Sequence, residues 1–155
     1  MKTIVIGVGN LVRRDDGAGV HVVNRLKARA PWIESTDVAL GSLEILEAMK
    51  GYERVIIVDA VKSGAQPGEI MKVDVKATKN HPSIYSSHGI DVITTLKLGE
   101  KIFSEEMPKE QIIIGIEADD VLEYGTNCTP IVERAIDIVV NEIVSMSVSG
   151  GISYF

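Results

Sequence analysis

The 155-residue sequence contains a single cysteine, Cys128, which excludes a disulfide bond within the chain. Disulfides are rare in the reducing cytoplasm, so a lone thiol is typical of a protein that works there. We therefore expect a cytoplasmic protein held together by an apolar core. Hydrophobic residues make up 45% of the chain, and at this length one globular domain is expected.

Positive charge and long hydrophobic runs are also scarce. Lys and Arg total 16 against 22 for Asp and Glu, giving a formal net charge of −6. Proteins that bind nucleic acids or anionic membranes need a basic patch, so neither partner is expected. No apolar run approaches the roughly 18 residues of a membrane span. The apolar start of the chain meets "RRDD" without a small-residue cleavage site, which predicts a first strand and no signal peptide.

Apolar runs alternate with amphipathic helical patterns along the whole chain. This alternation predicts one three-layer α/β/α domain over residues 1–148, with a mostly parallel sheet of about five strands and helices on both faces. The connection after residue 59 is too short for a crossover helix, so the fourth strand is predicted to pair antiparallel and make the sheet mixed. Residues 149–155 are predicted to form a flexible tail. Strands are expected at 4–8, 37–40, 54–61, 69–75 and 111–116, and helices at 17–29, 42–51, 89–98 and 127–148.

The stretch "GNLVRRDDGAG" places two adjacent carboxylates, Asp15 and Asp16, directly after the first strand. In open α/β sheets, ligands bind beyond the carboxyl ends of the strands, so residues at these ends are the first candidates for function. An aspartate in front of a helix is most often its N-cap, but only one of the pair can have that role. We assign the cap to Asp15 or Gly17 and leave Asp16 for chemistry.

Two further polar residues are predicted at the same edge of the sheet. Asp59 ends the apolar run "VIIV" of the central strand, where a carboxylate is poorly hydrated and needs a partner. His88 lies in "SSHG", just before a predicted helix. Two carboxylates and one imidazole can hold a first-row divalent ion such as zinc, nickel or manganese. The same groups can instead act as a general acid and base, and the residues alone leave both interpretations open.

Other candidate residues are less well supported by their patterns. Cys128 precedes a predicted helix, where a thiol pKa can be lowered, but no Cys-His signature accompanies it. His21 and His81 are predicted to be surface residues. The segment "GVGNLV" lacks the third glycine of the dinucleotide fingerprint because Val12 stands there, and the carboxylates that follow would repel a pyrophosphate. A nucleotide-binding domain of Rossmann type is therefore disfavoured.

Several of these motifs together match one known family. "GVGNLVRRDDGAGV" at 7–20 resembles the signature of the nickel-iron hydrogenase maturation endopeptidases. The resemblance continues through "VIIVDAV" at 55–61, "PGEI" at 67–70, "SSHGI" at 86–90 and "TPIVERAI" at 129–136. The motifs occur in the family's order and cover essentially the whole chain.

The resemblance implies a peptidase that removes the C-terminal extension of a hydrogenase large-subunit precursor after nickel insertion. The family's three metal ligands map onto Asp16, Asp59 and His88, which are thereby implied to be both metal-binding and catalytic. Nickel would be sensed on the substrate, with no permanently bound metal implied in the free protein. The ion can serve recognition alone, or it can polarise the scissile carbonyl and activate a water molecule. Asp16 or Asp59 can be the general base.

The resemblance leaves some points open. Many family members carry D-G-G-[ST] after the second strand, whereas this chain has "ALGS" at 39–42, so no role of that aspartate applies here. Asn10 and the backbone amides around Gly9 and Gly89 are candidate donors to a peptide or an oxyanion. An alternative function is a non-hydrolytic nickel-binding maturation chaperone that uses the same three ligands.

Overall fold

Five strands form one sheet in the order β2-β1-β3-β5-β4 in the computed structural model, which describes residues 1–39, 41–77, 86–87 and 91–149. The strands are β1 (Thr3–Val8), β2 (Ser35–Val38), β3 (Arg54–Val61), β4 (Ile70–Asp74) and β5 (Glu110–Glu117), and the helices are α1 (Ala18–Arg29), α2 (Ser42–Met49), α3 (Val92–Ile102) and α4 (Pro130–Ser149). A short 3₁₀ turn, Arg14–Gly17, precedes α1. The predicted mixed α/β fold is confirmed.

After β2, the chain crosses to the other side of β1, so the order in which strands are added to the sheet reverses there. β1 pairs in parallel with β2 on one side and with β3 on the other, and β3 pairs in parallel with β5. β4 pairs antiparallel with β5 at the sheet edge, as its short connection to β3 predicted. The carboxyl ends of β1 and β3 therefore meet at a topological switch point, the place where open α/β sheets bind ligands.

Each face of the sheet carries its own apolar core. Ile56 and Val58 of β3 pack with α1 and α4, whereas the alternate residues Val55 and Ile57 pack with the side that holds α2 and α3. This alternation is the period-2 pattern of a strand buried on both faces. Each fully buried Ile or Val contributes about 1.5–3 kcal/mol relative to an exposed one, so the two cores hold the three layers together. No helix in the described part of the chain is long and apolar enough to span a membrane.

The structure shifts several predicted boundaries. β2 begins and ends two residues earlier than predicted, and α3 begins at Val92, where the Asp91 side chain accepts a hydrogen bond from the Thr94 N–H at 3.2 Å. Leu43, predicted from its spacing to face inward with Leu46, is exposed because α2 buries the stripe of Ile45, Leu46 and Met49. The predicted tail was to begin at residue 149, but α4 includes Ser149, and residues 150–155 lie outside the described residues.

Glycines allow α1 to rest backbone to backbone on the sheet. A Cβ atom added to Gly19, in the first turn of α1, would lie 2.2 Å from the Val58 carbonyl oxygen of β3. A Cβ atom added to Gly7 of β1 would lie 2.2 Å from the Gly19 carbonyl oxygen. Any side chain at these positions would push the helix away from the sheet. The 3₁₀ turn in front of α1 is therefore held close to the ends of β1 and β3.

We expect Gly19→Ala to lower the free energy of unfolding by about 3 kcal/mol or more, because overpacking against fixed backbone atoms is not relieved by side-chain movement. Gly99→Ala in α3 is the matched control. Its Cβ would meet the tips of Leu46 and Met107 at 2.5 and 2.6 Å, and these flexible side chains can move. Urea unfolding of both variants measures the difference. Equal losses would contradict the proposed backbone contact.

Candidate functional site

Asp16 lies in the 3₁₀ turn between β1 and α1, and its side chain is directed to donors on two other segments. The residue is 2% exposed. One carboxylate oxygen accepts a hydrogen bond from the Asn10 N–H at 2.9 Å, and the other accepts one from the Ser87 hydroxyl. The orientation of Asp16 is thus fixed from both sides.

Asp59 lies in β3 and is 1% exposed. Its register partners are Val8 of β1 and Gly115 of β5, so it occupies the carboxyl-end region of the central strand, as predicted. β3 continues two residues past Asp59 and ends at Val61, as predicted. By strand alternation, the Asp59 side chain is on the face that holds α2 and α3.

Ser87 connects the Asp16 carboxylate to the backbone of β3 next to Asp59. Its hydroxyl donates to Asp16, and its N–H donates to the carbonyl of Ala60, the residue after Asp59, at 2.8 Å. The segment is held further by an antiparallel bridge between Ser86 and Val61. Sequence reasoning did not identify Ser87, although it stands beside the predicted ligand in "SSHG". His88 lies outside the described residues, so its role stays a prediction.

Asp15 does not cap α1. Gly17, the other residue proposed for that role, occupies the position before the helix. The Asp15 carboxylate instead accepts four hydrogen bonds from a distant part of the chain. The N–H groups of Asp119 and Asp120 donate at 2.9 Å each, and Thr129 donates its N–H at 2.7 Å and its hydroxyl at 2.8 Å. The adjacent carboxylates thus have separate sets of donors, which offsets their mutual repulsion.

A fourth buried carboxylate, Glu117 at the end of β5, holds the turn that follows β3. It accepts hydrogen bonds from the N–H and hydroxyl of Ser63, both within 3.2 Å, and from the Gly64 N–H at 3.1 Å. Lys62 donates to the carbonyls of Ala118 and Asp119 at 3.3 and 3.1 Å. These contacts tie the carboxyl ends of β3 and β5 together beside Asp59.

The loop between β5 and α4 lies against the Asp16 turn. The Arg14 N–H donates to the Gly125 carbonyl at 2.8 Å, and its guanidinium contacts Asp120 at 3.1 Å and Glu123 at 3.5 Å. Backbone N–H groups of Glu123 and Leu122, followed by Arg14, lower the pKa of Asp120. This loop exposes the side chains of Leu122 and Tyr124 to solvent.

The structure rules out two of the other candidate roles. Cys128 is buried, and burial followed by the negative charges of Asp15 and Glu133 raises its pKa to about 12, which is the opposite of an activated nucleophile. The backbone amides of Gly9 and Asn10 are already bonded, to the Val38 carbonyl and to Asp16, so they are not oxyanion donors in this conformation. Gly89 lies outside the described residues.

His21, which lies within the described residues, has no metal-binding arrangement there. The Nε2 atom of His21 lies 2.9 Å from the Thr126 carbonyl oxygen, so His21 packs against the β5–α4 loop. His81 lies outside the described residues. Within residues 1–39, 41–77, 86–87 and 91–149, no group of three or more His, Cys, Asp or Glu side chains is arranged to hold a metal ion. The assignment of Asp16 and Asp59 as metal ligands stays a prediction.

Comparisons with a family model and with known proteins agree on one family. A family model described as hydrogenase maturation protease matches residues 20–146. The hydrogenase 2 maturation protease of Escherichia coli strain K12 is 27% identical over 163 residues, covering 98% of this chain and 94% of the relative. A putative hydrogenase maturation protease of Methanocaldococcus jannaschii is 26% identical over 151 residues, covering 90% of this chain and 95% of the relative.

Solved structures show the same likeness. The hydrogenase maturating endopeptidase HybD from E. coli has a TM-score of 0.76 at 27% identity, covering 97% of this chain and 94% of that structure. A nickel-iron hydrogenase maturation protease from Thermococcus kodakarensis also has a TM-score of 0.76, at 23% identity, covering 94% of this chain and 99% of that structure. The second likeness concerns the fold alone.

We expect the Cys128 thiol to be unreactive in the native protein. With a pKa of about 12, only about one thiol in ten thousand is ionised at pH 8, and the thiolate is the reactive form. Labelling with a chromogenic disulfide reagent should therefore be slow in the folded protein and rapid after unfolding in urea. Rapid labelling of the folded protein at pH 8 would restore Cys128 as a candidate nucleophile.

Proposed function

Because the chain belongs to the hydrogenase maturation protease family and is therefore a peptidase, we propose that it removes a C-terminal extension from the large-subunit precursor of a nickel-iron hydrogenase. The observation that carries this proposal is the placement of Asp16 and Asp59, both buried, at the switch point between β1 and β3. The single cysteine supports a reaction in the cytoplasm.

Nickel enters this proposal as part of the substrate, inserted into the precursor before cleavage. Carboxylate oxygens and an imidazole nitrogen suit a first-row divalent ion, and Asp16, Asp59 and His88 supply that set. The Asp16 carboxylate accepts hydrogen bonds from the Asn10 N–H and the Ser87 hydroxyl. Hydrogen bonds of this kind orient metal ligands in other proteins. Cleavage then depends on whether the precursor carries nickel.

The chemical step requires a base near the scissile peptide bond. Asp16 or Asp59 accepts a proton from the water that attacks the scissile carbonyl, and the same carboxyl group returns this proton to the amine nitrogen as the C–N bond breaks. The other aspartate anchors the ion. The aspartate that many family members carry after the second strand is replaced by Ala39, so no step is assigned to that position. Both carboxylates are buried. The lower local dielectric constant strengthens the electrostatic interaction of a buried carboxylate with a bound cation.

We expect Asp16→Asn, Asp59→Asn and His88→Ala each to reduce precursor cleavage by about 100-fold or more, as is typical for loss of a general base or a ligand. Asp137→Asn is the matched control, since Asp137 lies on the surface of α4 and contacts Arg25. The mass of the large subunit, read by mass spectrometry after mixing with each variant, measures cleavage. Full activity in both Asp16→Asn and His88→Ala would exclude this site.

Nickel dependence is a separate prediction. We expect the wild-type protein to shorten the nickel-loaded precursor and to leave the nickel-free precursor intact under the same conditions. Equal cleavage of both would contradict nickel recognition while leaving the peptidase activity in place. A precursor that keeps its full mass while nickel transfers to the protein would instead favour the maturation chaperone.

A further inference from the structure

Asp15 is the most completely bonded carboxylate beside the candidate site, yet the proposed reaction gives it no role. The residue is 0% exposed. All four groups around it donate, and they come from Asp119, Asp120 and Thr129, more than 100 positions away in sequence. Its own N–H donates to the Asp120 carbonyl at 3.0 Å. The Asp15 side chain thus binds both ends of the β5–α4 loop, and its backbone N–H adds a bond to the first of these ends.

The contacts of Asp15 fix the turn that carries Asp16. The two residues share a peptide unit within a four-residue 3₁₀ turn, so any displacement of Asp15 moves its neighbour. On its other side the turn is confined by Gly9, where an added Cβ would lie 2.0 Å from the Asp16 carbonyl oxygen. The turn is therefore held between β1 and the β5–α4 loop. The hydrogen bonds of Asp15 hold it on the loop side.

From this geometry we propose that Asp15 is a positioning residue for the peptidase reaction. It holds the Asp16 carboxylate in the orientation set by Asn10 and Ser87. Hydrogen bonds to an ionised acceptor are about twice as strong as neutral ones, so four of them make a stiff anchor. A displacement of about 1 Å at a catalytic group can reduce a rate by about 100-fold. This inference rests on the proposed function, in which Asp16 ligates or accepts a proton.

Thr129 offers a way to weaken the anchor without removing the carboxylate. Thr129→Val has nearly the same shape and keeps the N–H donor at 2.7 Å, but it loses the hydroxyl donor at 2.8 Å. Thr129→Ser keeps both donors and is the conservative control. Asp15→Asn is the stronger change, because an amide nitrogen would face donors where the carboxylate now accepts.

The test measures kcat and KM for nickel-loaded precursor together with hydrogen exchange of the Asn10 amide, which reports the bond to Asp16. We expect Thr129→Val to lower kcat about 10-fold, and Asp15→Asn about 100-fold, with KM changed less than about twofold. Exchange of the Asn10 amide should accelerate in both variants. Thr129→Ser should match the wild type in both measurements. Rates are taken well below each variant's melting temperature, so that only folded protein is compared.

The two readouts separate this inference from the proposed function. Wild-type kcat in folded Thr129→Val and Asp15→Asn overturns the positioning role, and so does a fall in kcat with unchanged Asn10 exchange. If Asp15→Asn does not fold, the comparison of Thr129→Val with Thr129→Ser decides the question. If the wild type cleaves no precursor, the proposed function fails, and Asn10 exchange in the Thr129 variants still tests whether Asp15 holds Asp16.

Discussion

The close approach of the α1 backbone to β1 and β3 is the constraint on which the site depends. Gly7 and Gly19 permit this approach, because a Cβ atom at either position would meet a carbonyl oxygen at 2.2 Å. Gly9, with φ of 148°, adds a backbone conformation that L side chains rarely adopt. The 3₁₀ turn therefore lies so close to the ends of β1 and β3 that the Asp16 carboxylate does not reach solvent. Asp16 is therefore directed to the edge where Asp59 also lies.

The glycines of "GVGNLVRRDDGAG" thus have a packing role and no phosphate-binding role. In a dinucleotide site, the same kind of turn leaves its helix N-terminus open to an anion. Here the turn carries two carboxylates, and the Asp15 carboxylate accepts hydrogen bonds from backbone N–H groups of the β5–α4 loop. Glu117 does the same for the turn after β3. Buried carboxylates and backbone amides therefore hold this edge of the sheet together.

The sequence predicted the parts of the fold that follow from local patterns. The eight-residue apolar run of β3 was placed at Arg54–Val61 without error, because a continuous run of this kind has few alternatives. The polar β2 and the start of α3 were misplaced, since neither has a strong period and the cap at Asp91 was overlooked. The positions of Asp16 and Asp59 at one edge followed from their places at the carboxyl ends of strands in a mostly parallel sheet.

The contacts that hold the site could not be predicted from local sequence patterns. The donors to Asp15 come from residues 119–129 and the hydroxyl donor to Asp16 from Ser87, and no spacing within a short window can indicate either. The sequence therefore suggested Asp15 as an alternative to Gly17 for the helix cap, whereas its partners belong to another segment. Long-range hydrogen bonds of buried polar groups become visible only once the chain is folded.

The central claim is that Asp16, Asp59 and His88 converge on one ion at the end of β1 and β3. Anomalous diffraction at the nickel edge, from crystals of the protein grown with saturating Ni²⁺, tests it most directly. The account predicts a peak at coordination distance, about 2.0–2.3 Å, from an oxygen of each aspartate and a ring nitrogen of His88. A crystal with no peak there, or with nickel bound only at His21 or His81, would contradict it.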